Sequence, residues 1–172
     1  MKLYPQSTPQ ETLESAIKAA EKGRQDYIAA FLLDPAFVDA EASIRGKAFV
    51  AAVEEDLRER RTREKNDSNL PRDKRLPDDP QRFKTFVDAE IQARGFVRFV
   101  LDMREKATDD PSQLKELRRF LREGQWEITG EKAKVTVRDI KDRAVFLRKI
   151  DNRWFLENRQ VEEKPAVVPA NP

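Results

Sequence analysis

A chain of 172 residues in which 38 % are apolar and 38 % charged can bury one modest core under a well-solvated surface, and this predicts a single domain. Lys and Arg number 34 against 32 Asp and Glu, so the net charge of +2 supplies no overall field for nucleic acid or an anionic membrane. With no Cys and no His, disulfides, thiolate chemistry, Ser-His-Asp machinery and zinc sites built on those ligands are excluded. Carboxylate, Lys, Tyr and Arg are what remain for chemistry.

Residues 1–7 read as a flexible lead. Thr8-Pro9-Gln10-Glu11 combines an N-cap, a proline at the first helical position and the acid of a capping box, so a helix is predicted from there, with Leu13, Ala16, Ile17 and Ala20 on one face and Gly23 as its stop. A second helix over 25–33 turns Tyr27, Ile28, Phe31 and Leu32 inward and ends at Asp34-Pro35, because the residue before proline is disfavoured in the helical region. Phe37 and Val38 pin that corner. A third helix from about residue 41 carries Ile44, Phe49, Val50, Val53 and Leu57 and runs on into the charged stretch Arg58-Glu-Arg-Arg-Thr-Arg-Glu-Lys65.

Residues 66–78 hold Asn, Asp, Ser, two prolines and alternating charge, and predict a mobile loop with almost nothing to bury. Asp79-Pro80 starts a fourth helix with Phe83, Phe86, Val87 and Ile91 inward; its stripe is expected to change direction at Arg94-Gly95-Phe96 and to continue through Phe99, Val100 and Met103. Asp110-Pro111 opens a fifth, with Leu114, Leu117, Phe120 and Leu121 on its inner face. The X-Pro starts recur through shared capping physics and do not mark an internal repeat.

From Gly124 the period changes to two. Residues 124–130, 133–138, 143–149 and 154–158 alternate apolar and polar side chains around the turn-like Gly130-Glu131, Asp139 to Asp142 and Asp151-Asn152, which predicts a four-stranded antiparallel meander. The fold class is therefore α+β: about five helices followed by a C-terminal four-stranded antiparallel meander, in one domain over residues 8–161. Residues 162–172 predict a disordered Pro-rich tail.

At both ends the residues resemble a family. Thr8-Pro9-x-Glu11-Thr12 with Ala16, Ala19, Ala20 and Gly23, then Leu32-Leu33-Asp34-Pro35, is similar to the first helices of small bacterial proteins of the nuclear-transport-factor-like, or cystatin-like, superfamily. Gly130-Glu-Lys-Ala-Lys-Val-Thr-Val137 and Ile150-Asp-Asn-Arg-Trp-Phe-Leu156 resemble its closing strands. The resemblance covers about 60 residues and implies a curved antiparallel sheet wrapped around helices, forming a cone that holds a ligand; many such proteins are exported and have no known activity. No catalytic residue carries over, because the acid/base sets of the enzymatic members have no counterpart here.

Trp126 and Trp154, with Tyr27 and Phe31, are the candidate ligand-binding residues, lining a pocket on the concave face of the sheet; as strand aromatics the two tryptophans read more readily as core. Arg58, Arg61 and Lys65 are the candidate partner-binding residues, on a helix whose interleaved acids argue against nucleic acid. Glu54, Glu55 and Asp56, and Asp88 with Glu90, supply carboxylates that point apart on a helix, and Tyr27 near Asp34 is the one tyrosine and carboxylate pairing of note. The leading expectation is a non-enzymatic binding module for a small apolar ligand or a protein partner. Two alternatives stand beside it: a small isomerase- or hydrolase-like enzyme with a buried carboxylate base, and a structural protein that docks a partner on the charged helix 54–65. No catalytic residue, metal site, cofactor, nucleic acid or membrane span is expected, and a homodimer is left open. The chain reads as soluble, periplasmic if a signal segment has been removed and cytoplasmic otherwise.

Overall fold

The computed structural model describes residues 4–67, 70–71 and 74–159. The chain falls into two compact units: Met1–Asp34 with Asp110–Pro172, and Pro35–Asp109. The expected α+β order holds, with five helices of twelve residues or more among the described residues, followed by an open four-stranded antiparallel sheet.

In the first unit, helix α1 (Pro9–Glu21) starts as its sequence dictates. Glu11 N–H donates to Thr8 Oγ1 at 3.1 Å, Thr8 N–H donates back to Glu11 Oε2 at 3.2 Å, and Pro9 occupies the first turn, where its missing N–H has no partner to lose. Leu13, Ala16, Ile17 and Ala19 are buried. Gly23, at φ +64°, turns the chain into a single helical turn, α2 (Gln25–Tyr27), which widens into a π turn over Ile28–Leu32 closed by Leu33 N–H on Ile28 O. The extra residue in that turn rotates the side chains: Ile28, Ala29 and Leu32 go inward, whereas Phe31, expected inside, is 47 % exposed.

Helix α6 (Ser112–Glu123) follows Asp110, whose Oδ1 accepts from Ser112 N–H at 3.1 Å, and it packs on α1 with Phe120 buried. The sheet follows as β1 (Gln125–Thr129), β2 (Lys132–Thr136), β3 (Ala144–Ile150) and β4 (Arg153–Leu156), in the order β1-β2-β3-β4. Its connections use the residues that tolerate a left-handed backbone: Gly130 (φ 59°) opens the first, and Asp151 and Asn152 (φ 47° and 61°) form the last. Val135, Leu147, Trp154 and Leu156 are buried on one face, with α1 against β4. On the other face Arg159 lies 4.2 Å from the Phe146 ring centroid and Arg153 lies 5.2 Å from that of Phe155, so two guanidinium groups roof two buried rings.

The lead was read as flexible, yet Tyr4 and Gln6 are buried and Ser15 Oγ donates to Pro5 O at 2.7 Å. Residues 162–172, expected as a tail, lie outside the described residues.

In the second unit the expected third helix is two helices. α3 (Pro35–Gly46) begins at the proline itself, so Phe37 and Val38 belong to its first turns rather than to a corner; a 3-10 turn (Lys47–Phe49) separates it from α4 (Val50–Asn66). α5 (Pro80–Asp109) is one unbroken helix of 30 residues that runs through Gly95. Gly95 is there for proximity: a Cβ on it would overlap Ala42 O and stand 2.7 Å from Gly46 N, and a Cβ on Gly46 would meet Ile91 O at 2.9 Å. Ala42, Gly46 and Gly95 thus let two backbones pack in direct contact.

Val53, Leu57 and Leu76 form the unit's other core, against Phe49, Phe83, Phe86, Val87 and Ile91. The loop expected to bury almost nothing therefore contributes Leu76, 4 % exposed. Leu76 N–H donates to Glu64 Oε2 at 2.9 Å, and Arg61 donates to the Pro77 carbonyl at 2.8 Å.

Two predictions follow from this packing. Gly95→Ala should lower stability by about 1–3 kcal/mol or more, because the obstruction is backbone and cannot rotate away, whereas Ala93→Gly on the exposed side of the same helix should cost about 0.5–1 kcal/mol; urea unfolding of the two variants compares them. Asp102 accepts from Arg45 Nε at 2.7 Å and lies 2.8 Å from Arg98 Nε, and the Arg45 hydrogen bond first, then the surrounding positive charge, hold its carboxyl below the ordinary value. The unfolded chain therefore takes up a proton at Asp102 at higher pH than the folded one. Its contribution is complete above the unfolded carboxylate pKa of about 3.9 and is lost as pH falls through the depressed folded value. Melting temperatures measured downward from neutral pH should fall less steeply at the acid end for Asp102→Asn than for the parent.

Candidate functional site

The first unit gathers three of the four candidate ligand-binding residues around Gln6. Its backbone carbonyl accepts from Trp154 N–H at 3.1 Å, and its side-chain Nε2 donates to Trp154 O at 2.9 Å and to Phe31 O at 2.7 Å. Its Oε1 accepts from Arg153, through Nε at 3.2 Å and through Nη2. Every face of a buried amide is thereby satisfied, and one side chain ties the lead, the π turn and β4 together.

Over this clamp the rings of Tyr4, Tyr27 and Phe31 make a step. The centroids are 4.5 Å apart between Tyr4 and Tyr27 and 4.8 Å apart between Tyr27 and Phe31, with tilts of 38° and 39°. Tyr4 is buried, Tyr27 half-buried and Phe31 exposed, so the step climbs from core to surface. At its foot Arg24 grips Asp26 at 2.9 Å. That hydrogen bond raises the Arg24 pKa above its ordinary value and depresses the Asp26 carboxyl.

Trp154 is core, 5 % exposed. Trp126 shares its sheet face but stands on β1, at the opposite edge, three strand spacings or about 14 Å across the sheet and four residues out of register along it. The two tryptophans therefore do not line one pocket.

The charged helix divides as well. Arg58 is exposed and pairs with Glu55 at 2.5 Å, and Lys65 is exposed near the helix end. Arg61 is a structural residue, 4.2 Å above the Phe83 ring with its hydrogen bond to Pro77. An open concavity of about 290 Å³ lies beside it, lined by Arg60, Arg63, Glu64, Asp67, Leu70 and Lys74. Glu64 accepts from Arg60 Nε at 3.0 Å and from Leu76 N–H, and Arg60 donates to Lys74 O at 2.9 Å, so much of that lining is spent on the loop.

Asp34 is the one buried carboxylate among the described residues. Arg148 Nη2 donates to its Oδ1 at 2.7 Å, Arg148 Nε sits 2.6 Å from its Oδ2 off the hydrogen-bond axis, and its own N–H donates to Leu156 O at 2.9 Å. The pair joins the π turn to the sheet. Where carboxyl shifts are resolved, at Asp26, Asp102, Asp110 and Asp139, each is downward, opposite to the shift a general base near neutral pH requires. No group of three or more acidic residues among the described residues is placed to hold a metal ion, and none of the described helices is long and apolar enough to cross a membrane.

No family model, curated protein or solved structure matches the chain.

Gln6 and Tyr4 had no sequence signal, since neither sits in a periodic stretch. Gln6→Ala should remove the donor shared by the Phe31 and Trp154 carbonyls, leaving them the longer contacts from Arg153 Nη2 at 3.5 Å and Thr12 Oγ1 at 3.4 Å, and at about 1–3 kcal/mol for buried polar groups left poorly paired it should lower the urea midpoint. Trp154 emission reports the transition.

Proposed function

We propose that this chain is a non-catalytic binding module whose recognition surface is the Tyr27 and Phe31 step with the Arg153 guanidinium beside it, and whose partner is a protein presenting an apolar or aromatic side chain next to a carboxylate. The observation that carries the reading is Phe31: a large apolar ring 47 % exposed, stacked at 4.8 Å on Tyr27 and fixed at its carbonyl by the buried Gln6. A rigid, half-exposed aromatic loses little freedom on binding and gains area, which is how interface anchors work. Arg153 approaches the same carbonyl at 3.5 Å, placing positive charge at the edge of the step.

A large apolar ring exposed at the surface favours a protein partner over a small apolar ligand. The concavity of about 290 Å³ on α4 has a charged lining unsuited to one. The downward carboxyl shifts and the Arg148 ion pair at Asp34 weigh against an acid/base enzyme. The partial resemblance to nuclear-transport-factor-like proteins, many without known activity, agrees with this reading.

N-acetyl-phenylalaninate, titrated in an amide-resolved NMR experiment, should shift residues 27–31 and 153–155. The uncharged amide of the same probe should shift them less, and Phe31→Ala should abolish the effect while changing stability by no more than about 1 kcal/mol. Absence of shifts there, or shifts unaltered by Phe31→Ala, overturns the proposal.

A further inference from the structure

The two edges of the sheet are treated differently. β4 is covered: Gln6 pairs with Trp154, and Leu33 bridges Leu156 in parallel with Asp34 N–H on Leu156 O. β1 is bare among the described residues. None of its five side chains is buried, Ile128 is 51 % exposed, and its strand partner is β2 alone. An uncovered edge with apolar side chains is a template for strand addition.

The phase of its hydrogen bonding can be worked out. Lys149 N–H donates to Glu131 O, so Glu131, Ala133 and Val135 direct their backbone groups at β3. Lys132, Lys134 and Thr136 then direct theirs at β1, where Thr129, Glu127 and Gln125 stand opposite. Trp126 and Ile128 are left with N–H and C=O pointing outward. Any added strand must exchange hydrogen bonds with those two residues.

We propose that the partner of this edge is a second copy of the chain, paired antiparallel through β1 about a two-fold axis at Ile128. In that register Ile128 meets Ile128 of the second copy, each Glu127 faces a Thr129 hydroxyl, and each Trp126 lies over Gly130, where no side chain obstructs the ring. Apolar falls on apolar and no like charges face each other. A one-residue slip is forbidden because it sets outward groups against inward ones. Centring on Glu127 puts two carboxylates directly opposite. Centring on Trp126 drives Ile128 onto Gly124, which is already packed on Phe120 O and the Val135 side chain at the end of α6. The segment Trp126-Glu-Ile-Thr-Gly130 is thus self-complementary in one register, the requirement for an isologous contact.

The chain has no cysteine, so a single introduced thiol reports its own neighbour. Opposed residues in a hydrogen-bonded antiparallel pair have Cα atoms about 5.5 Å apart, inside the disulfide range. Ile128→Cys should give a covalent dimer under mild oxidant at least tenfold faster than Glu127→Cys or Trp126→Cys. The unmodified chain should sediment at twice the mass of one chain, and Ile128→Lys, at an exposed position that leaves folding intact by circular dichroism, should sediment as a monomer. A parent that is monomeric at millimolar concentration, a dimer that survives Ile128→Lys, or faster cross-linking at 126 or 127 than at 128 overturns the proposal.

Discussion

The outer edge of β4 must be hydrogen-bonded to something, and what occupies it shapes the first unit. A sheet edge inside a fold cannot leave N–H and C=O groups without partners. Here Gln6 takes both backbone groups of Trp154, and Leu33 with Asp34 takes Leu156. Filling those places draws the lead across the strand and fixes where the π turn lies. The exposure of Phe31 follows, as does the ion pair of Asp34 with Arg148. The aromatic step is a by-product of closing one edge of the sheet.

Local rules made much of the chain legible. The Thr8-Pro9-Glu11 start, Gly23, the Asp-Pro helix starts and the glycine and Asp-Asn turns each state their conformation within four residues of sequence. The meander was readable because period two persists over four segments. What failed depends on distant partners. Leu76 is one apolar residue in a polar loop, and only its burial against Val53 and Leu57 gives it meaning. Phe31 sits at helical spacing but in a wider turn. Gly95 reads as a weak point in a helix, and its purpose appears only when Ala42 and Gly46 lie across from it. The Trp126 and Trp154 pocket failed because similar strand patterns say nothing of which edge each strand occupies.

The charge reading needs the same correction. A sequence rich in arginine suggests surfaces for anions, but many of these guanidinium groups are internal ties: Arg61 on Phe83 and Pro77, Arg148 on Asp34, Arg153 on Gln6, Arg159 on Phe146. A planar fork that stacks and donates at once suits a small protein in which rings and carbonyls must be covered together.

The two sheet edges also bear on each other. A two-fold at Ile128 makes the two meanders one sheet of eight strands, with both covered β4 edges outermost. Seven spacings of about 4.8 Å set those edges roughly 34 Å apart, and each carries its own aromatic step. A weak contact at one Phe31 would then be repeated at the other, and a partner with two matching side chains would gain from the second without any new contact within either copy. Binding through an exposed ring and pairing through a bare strand are therefore compatible, because the fold puts them on opposite edges of the same sheet.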